Sequence, residues 1–125
     1  LYRSEQQPEV KRKILEGLFI AGDVETLSEV ASGDPDPQMR LKAIEGLGVS
    51  AGEKTAALLS KLYQSGDSAT KRAVINAMFL QGDAKALLEL AKHETDRELR
   101  REALQRLSVM DEPEAVDFLL EQLEN

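Results

Sequence analysis

A twelve-residue pattern recurs four times along the chain and limits what it can fold into. Gln7–Leu18 reads QPEVKRKILEGL, Asp36–Leu47 DPQMRLKAIEGL, Asp67–Met78 DSATKRAVINAM and Asp96–Leu107 DRELRREALQRL. Aligned on the base that follows the leading acid or amide (Lys11, Arg40, Lys71, Arg100), the copies are spaced by 29, 31 and 29 residues. Other columns keep step: Ile14, Ala43, Val74 and Ala103, then Leu15, Ile44, Ile75 and Leu104, then Leu18, Leu47, Met78 and Leu107. Gly17, Gly46 and Ala77 make a small-residue column, broken by Arg106, and are read as a place of close helix packing. A period near 30 residues, with apolar positions three and four apart inside it, predicts one helix pair per unit stacked on the next. No single pair can bury its apolar face, so the stack is what folds.

Local chemistry marks the ends of the helices. Asp36, Asp67 and Asp96 stand where a carboxylate can accept from the free N–H groups of a first turn. Gln7 takes that place in unit one, and Pro8 and Pro37 occupy the favoured first helical position. Gly22, Gly52 and Gly82 suit the left-handed residue that ends a first helix, and Asp23, Glu53 and Asp83 then open the second. Unit two has two extra residues in its turn, Val49–Gly52, before a second helix that carries Leu58, Leu59, Leu62 and Tyr63. The expected helices span 8–20, 23–32, 37–48, 53–64, 68–80, 83–93, 97–109 and 113–123. The units divide as 7–34, 35–66, 67–95 and 96–125. Residues 1–6 are read as the end of a preceding unit, because Leu1-Tyr2-Arg3-Ser4 is similar to Leu62-Tyr63-Gln64-Ser65. With that likeness at one end and an apolar, uncapped last helix at the other, a segment of a longer array, or dimerisation through an end, is expected.

Composition narrows the function. There is no Cys, which excludes disulfides, thiolate zinc sites and a Cys nucleophile, and the single His93 excludes a multi-His metal site within one chain. With 23 acids against 16 bases the net charge is −7, which weighs against nucleic acid and anionic membrane as partners. No apolar run reaches about 18 residues, so no membrane span is expected. The pattern holds neither a Gly-rich phosphate loop nor a Ser in a nucleophile-elbow setting. A chain without a catalytic constellation, metal or cofactor is expected.

The columns Asp36, Met39, Arg40, Ala43, Ile44, Leu47 and Asp96, Leu99, Arg100, Ala103, Leu104, Leu107 resemble the HEAT-repeat superfamily. They are most similar to short bacterial HEAT-like units of the phycobilisome-lyase type. Unit one departs from the pattern at Gln7 and Ile14, and unit three at Thr70 and Val74. The resemblance implies an all-α, right-handed α-α superhelix (solenoid) of about four helix-pair repeats. First helices would form its convex side and second helices its concave side. It implies a protein–protein interaction scaffold or adaptor whose concave surface binds a protein or peptide. The alternative is a non-catalytic or regulatory subunit of a modifying-enzyme complex, such as a bilin-lyase-like assembly.

Candidate sites follow from that layout. The bases Lys11, Arg40, Lys71 and Arg100 are read as a half-buried ladder paired with capping acids, rather than as a phosphate-tracking stripe. His93 is read as a solvated loop residue, and Tyr63 as inter-repeat packing. Partner-binding residues are expected on the second helices: Glu25, Glu29, Lys61, Lys85, Glu89, Lys92, Asp117 and Glu121. Ser28, Lys54, Ser60 and Glu114 belong to the same face. Acids lie at both ends and bases between, which suits a protein with a patterned surface better than a uniform polyanion. Phe118, Leu119, Leu120 and Leu123 give the last helix apolar surface for end-to-end self-association.

Overall fold

A computed structural model of the chain describes residues 7–49, 53–110 and 112–124. Among them are α1 (Pro8–Ala21), α2 (Val24–Gly33), α3 (Pro37–Val49), α4 (Glu53–Ser65), α5 (Ser68–Gln81), α6 (Ala84–His93), α7 (Arg97–Ser108) and α8 (Pro113–Glu124). Every boundary lies within one residue of the expected one. The expectations for Leu1–Ser4, for the turn through Gly52 and for the Leu123 side chain fall outside the described residues.

The helix ends form for the reasons the sequence suggests. Asp67 accepts from the Thr70 N–H at 2.9 Å, and Asp96 accepts from Glu98 and Leu99 at 3.0 and 3.2 Å. Asp36 accepts from the Gln38 N–H at 2.9 Å. Backbone and hydroxyl hydrogen bonds from Thr70 hold the exposed Asp67 carboxyl below its ordinary range. Gly22 and Gly82 adopt φ of 71° and 72°, the left-handed conformation that closes α1 and α5. Asp23 and Asp83 are the caps of the second helices rather than their first residues; they accept from Thr26 and Ala86, each at 3.1 Å.

The columns become the core. Ala43, Val74 and Ala103 are buried, as are Leu15, Ile44 and Ile75, and Leu47, Met78 and Leu107. From the second helices come Leu27, Leu59, Leu62 and Leu87. First helices pack in succession, α1 on α3, α3 on α5 and α5 on α7. Each second helix packs on the next first helix: α2 on α3, α4 on α5, α6 on α7. The product is an all-α solenoid with one continuous core.

The small column packs unevenly: Gly46 and Ala77 are buried, whereas Gly17 is not. Gly17 is exposed, and a Cβ there would meet nothing within 4 Å. Gly48 is crowded by a neighbouring helix: a Cβ there would lie 2.8 Å from the Ala77 Cα and 2.9 Å from its Cβ. Gly48 therefore lets α3 lie backbone to backbone on α5. The small column thus packs closely through Ala77, whose opposite number is two residues past Gly46.

Candidate functional site

The second-helix layer is spaced less evenly than the first. α2 touches α4 and α6 touches α8, but α4 and α6 hardly meet. Between them a cavity of about 630 Å³ opens onto α5. Ser60, Tyr63 and Gln64 of α4 form one wall, and Ala86, Glu89, Leu90 and His93 of α6 the other. Met78 lies at its base and is buried, while Lys71, Glu94 and Thr95 close one end. The cavity therefore has an apolar floor beneath a polar rim, the usual composition of a recognition pocket.

That closed end is built from a short polar network. The Tyr63 hydroxyl donates to Glu94 Oε1. Glu94 Oε2 accepts from the Asp96 backbone N–H at 2.8 Å. Lys71 Nζ lies 4.0 Å from Glu94 Oε1 and 5.2 Å from the centroid of the Tyr63 ring. Burial alone would raise the Glu94 carboxyl. The Tyr63 hydroxyl, the Asp96 N–H and the Lys71 charge outweigh it and hold Glu94 below its ordinary value. Burial first, and then the same hydrogen bond and the Glu94 charge, push the Tyr63 phenol above its ordinary range.

The network corrects the expected base ladder. Lys71 pairs with Glu94, and Lys11 pairs with Asp34 at 3.5 Å. Neither acid caps a first helix: each stands two residues before the cap and accepts from its N–H, Asp34 from Asp36 at 2.8 Å and Glu94 from Asp96. These acids end the second helices α2 and α6. At the middle junction the position is Ser65, and Arg40 Nη1 instead donates to the Asp34 carbonyl at 2.6 Å. The signal was in the sequence as a shared separation of 23 residues, Lys11 to Asp34 and Lys71 to Glu94. His93 also moves: it belongs to the last turn of α6, with Nδ1 2.9 Å from the Glu89 carbonyl, and it borders the cavity rather than a loop.

Residues 24–105 match a family model described as HEAT repeats. The chain belongs to the HEAT-repeat family. Searches of curated proteins and of solved structures return no match. HEAT repeats commonly mediate protein–protein interaction and typically serve as non-catalytic scaffolds. Among the described residues no helix is long and apolar enough to cross a membrane, and no group of three or more His, Asp or Glu could hold a metal ion.

Within these HEAT repeats the eight expected partner-binding residues are all exposed on second helices. Glu25 and Glu29 lie on α2, Lys61 on α4, Lys85, Glu89 and Lys92 on α6, and Asp117 and Glu121 on α8. The structure brings only Glu89 into the α4–α6 cavity. Lys92 sits with Nζ 6.0 Å from the Phe118 ring, a link from α6 to α8. Ser60 lines the cavity, and Ser28 turns its hydroxyl onto the Val24 carbonyl at 2.6 Å. The Lys54 side chain lies outside the described residues. Tyr63, Lys71, Met78 and Leu90 complete the site and were not among the expected partner-binding residues.

Proposed function

We propose that the chain is a non-catalytic protein-binding scaffold whose second-helix face takes a protein or peptide partner, anchored in the α4–α6 cavity. The observation that carries this reading is the cavity itself. Its apolar lining, Met78 at the base and Leu90 on the α6 wall, accepts an apolar side chain, worth about 1.5–3 kcal/mol when fully buried. Lys61, Lys85 and Lys92 stand exposed on the two helices that wall it and favour acidic residues flanking the anchor. Glu25 and Glu29 at one end of the face, and Asp117 and Glu121 at the other, favour bases further out. Steering by these charges sets orientation and encounter rate more than final affinity.

The test is affinity capture with two variants. Ser60→Trp fills the cavity from an exposed position, and the triple variant Lys61→Glu, Lys85→Glu, Lys92→Glu reverses the flanking charge. Both should lose partners that the unaltered chain retains. Retention of the same partners by both variants would sink the proposal. End-to-end self-association through α8 belongs to the same reading, since Phe118 packs inward while Val116 and Leu120 stay exposed. Sedimentation equilibrium of Leu120→Glu against the unaltered chain checks it: a monomer in both cases removes it.

A further inference from the structure

A second surface lies at another edge of the solenoid. Ile20, Val49, Leu80 and Val109 are 90%, 63%, 49% and 71% exposed. They are spaced by 29, 31 and 29 residues, the period of the core columns, so they are one repeat position seen four times. Each stands at the end of a first helix, beside the turn to the second helix. Scattered exposed apolar side chains need no explanation. A column that the fold leaves in water, yet that is Ile, Val, Leu and Val in all four units, has no packing reason to be apolar.

The surroundings of this column are acidic. Glu16 and Glu45 lie one helical turn before Ile20 and Val49 and are exposed, although Glu16 also meets Lys42 at 3.6 Å. Asp23, Asp83 and Glu112 follow in the turns, and Glu25 and Glu114 are exposed just beyond. Among the described side chains the bases at this edge include Lys85 and Arg106, and Arg106 lies 5.1 Å from the Phe79 ring centroid. The last turns of α1, α3 and α5 carry no base.

We propose that this ridge docks an extended segment of a protein partner, with an apolar side chain at every third residue and Lys or Arg between. Two observations choose that occupant. The first is spacing. Packed helices stand roughly 8–10 Å apart, and three residues of polyproline II advance about 9.3 Å. A β-strand repeats on one face after roughly 6.7 Å and falls out of step. An amphipathic helix presents a broad apolar stripe, which would press apolar groups onto the acids that flank a ridge one residue wide. The second is charge. A second copy of the chain would set the same acidic edge against this one, whereas a basic segment complements it. The ridge is separate from the α4–α6 cavity, so it stands or falls independently of the function proposed above.

The test uses a fluorescein-labelled peptide of four Leu-Pro-Lys triplets and fluorescence anisotropy at low salt. The quadruple variant Ile20→Ser, Val49→Ser, Leu80→Ser, Val109→Ser should bind it at least about tenfold more weakly. Added salt should weaken binding to the unaltered chain, a Leu-Pro-Glu peptide should not bind, and Ser60→Trp should bind as the unaltered chain does. If the quadruple variant loses its helical circular dichroism, Ile20→Ser alone is read for a smaller loss in the same direction. The proposal is overturned by failure of the Leu-Pro-Lys peptide to bind or by equal affinity for the variant. It is overturned too if an alternating Leu-Lys peptide or an amphipathic helix binds as tightly. A concentration-dependent dimer that the quadruple variant abolishes would assign the ridge to a second copy and overturn it as well.

Discussion

At the scale of single residues, the hydrogen bond from Tyr63 to Glu94 leaves a mark at both ends of the pH range. Glu94 has its folded value depressed, so its contribution to stability is present above the ordinary glutamate value and is lost as pH falls through the folded one. Tyr63 has its folded value raised, so its contribution is present below the ordinary tyrosine value near pH 10 and is lost as pH rises beyond it. One interaction thus supports the fold between about pH 4.3 and pH 10 and fades on either side. Tyr63→Phe should cost about 1 kcal/mol at neutral pH. It should also flatten both limbs of the stability profile relative to the unaltered chain. Urea midpoints from pH 3 to 11 measure this; parallel profiles for the two proteins would contradict it. In the variant, Lys71 and the Asp96 N–H still face Glu94, so the acid limb shrinks without vanishing.

At the scale of elements, the contact between α3 and α5 separates two helical glycines, Gly48 and Gly17, that occupy different positions of the repeat. Gly48→Ala would push a methyl to within 2.8 Å of backbone on α5 and should destabilise by about 1–3 kcal/mol. Gly17→Ala adds a methyl in open space within α1 and should stabilise by about 0.4–1 kcal/mol. Chemical denaturation of the two variants should move the midpoint in opposite directions. The pair also shows how far the sequence could be read. Helix bounds, caps and the Ile44, Ile75 and Leu47 columns were legible, because cap chemistry and apolar period act along one helix. Which glycine meets a neighbour depends on the rotation of α3 against α5, which the period of a single helix does not contain. The partner of Lys71 was hidden for a related reason. It sits on another element, and Asp96, the more obvious acid, already serves as a cap. The cavity was less legible still, since it arises from the spacing of α4 and α6 rather than from any residue of either.

At the scale of the whole molecule, stability in a stacked array is shared between neighbours and drops toward the ends. α3 and α5 pack on neighbours to either side and hold the largest cluster of fully buried side chains, including Met39, Ile44, Leu47, Val74, Ile75 and Met78. Amide hydrogen exchange should be slowest in α3 and α5 and faster in α1 and α8, read by mass spectrometry on the intact chain. Uniform protection across all eight helices would contradict this. The near-contact of Gly48 with Ala77 has a mechanical consequence as well. It holds the first-helix layer at one point while α4 and α6 stand apart on the other side. A stack clamped on one side and open on the other is stiff to shear at the clamp and compliant in bending about it. A small tilt at that fulcrum is therefore magnified into a change in the width of the gap opposite.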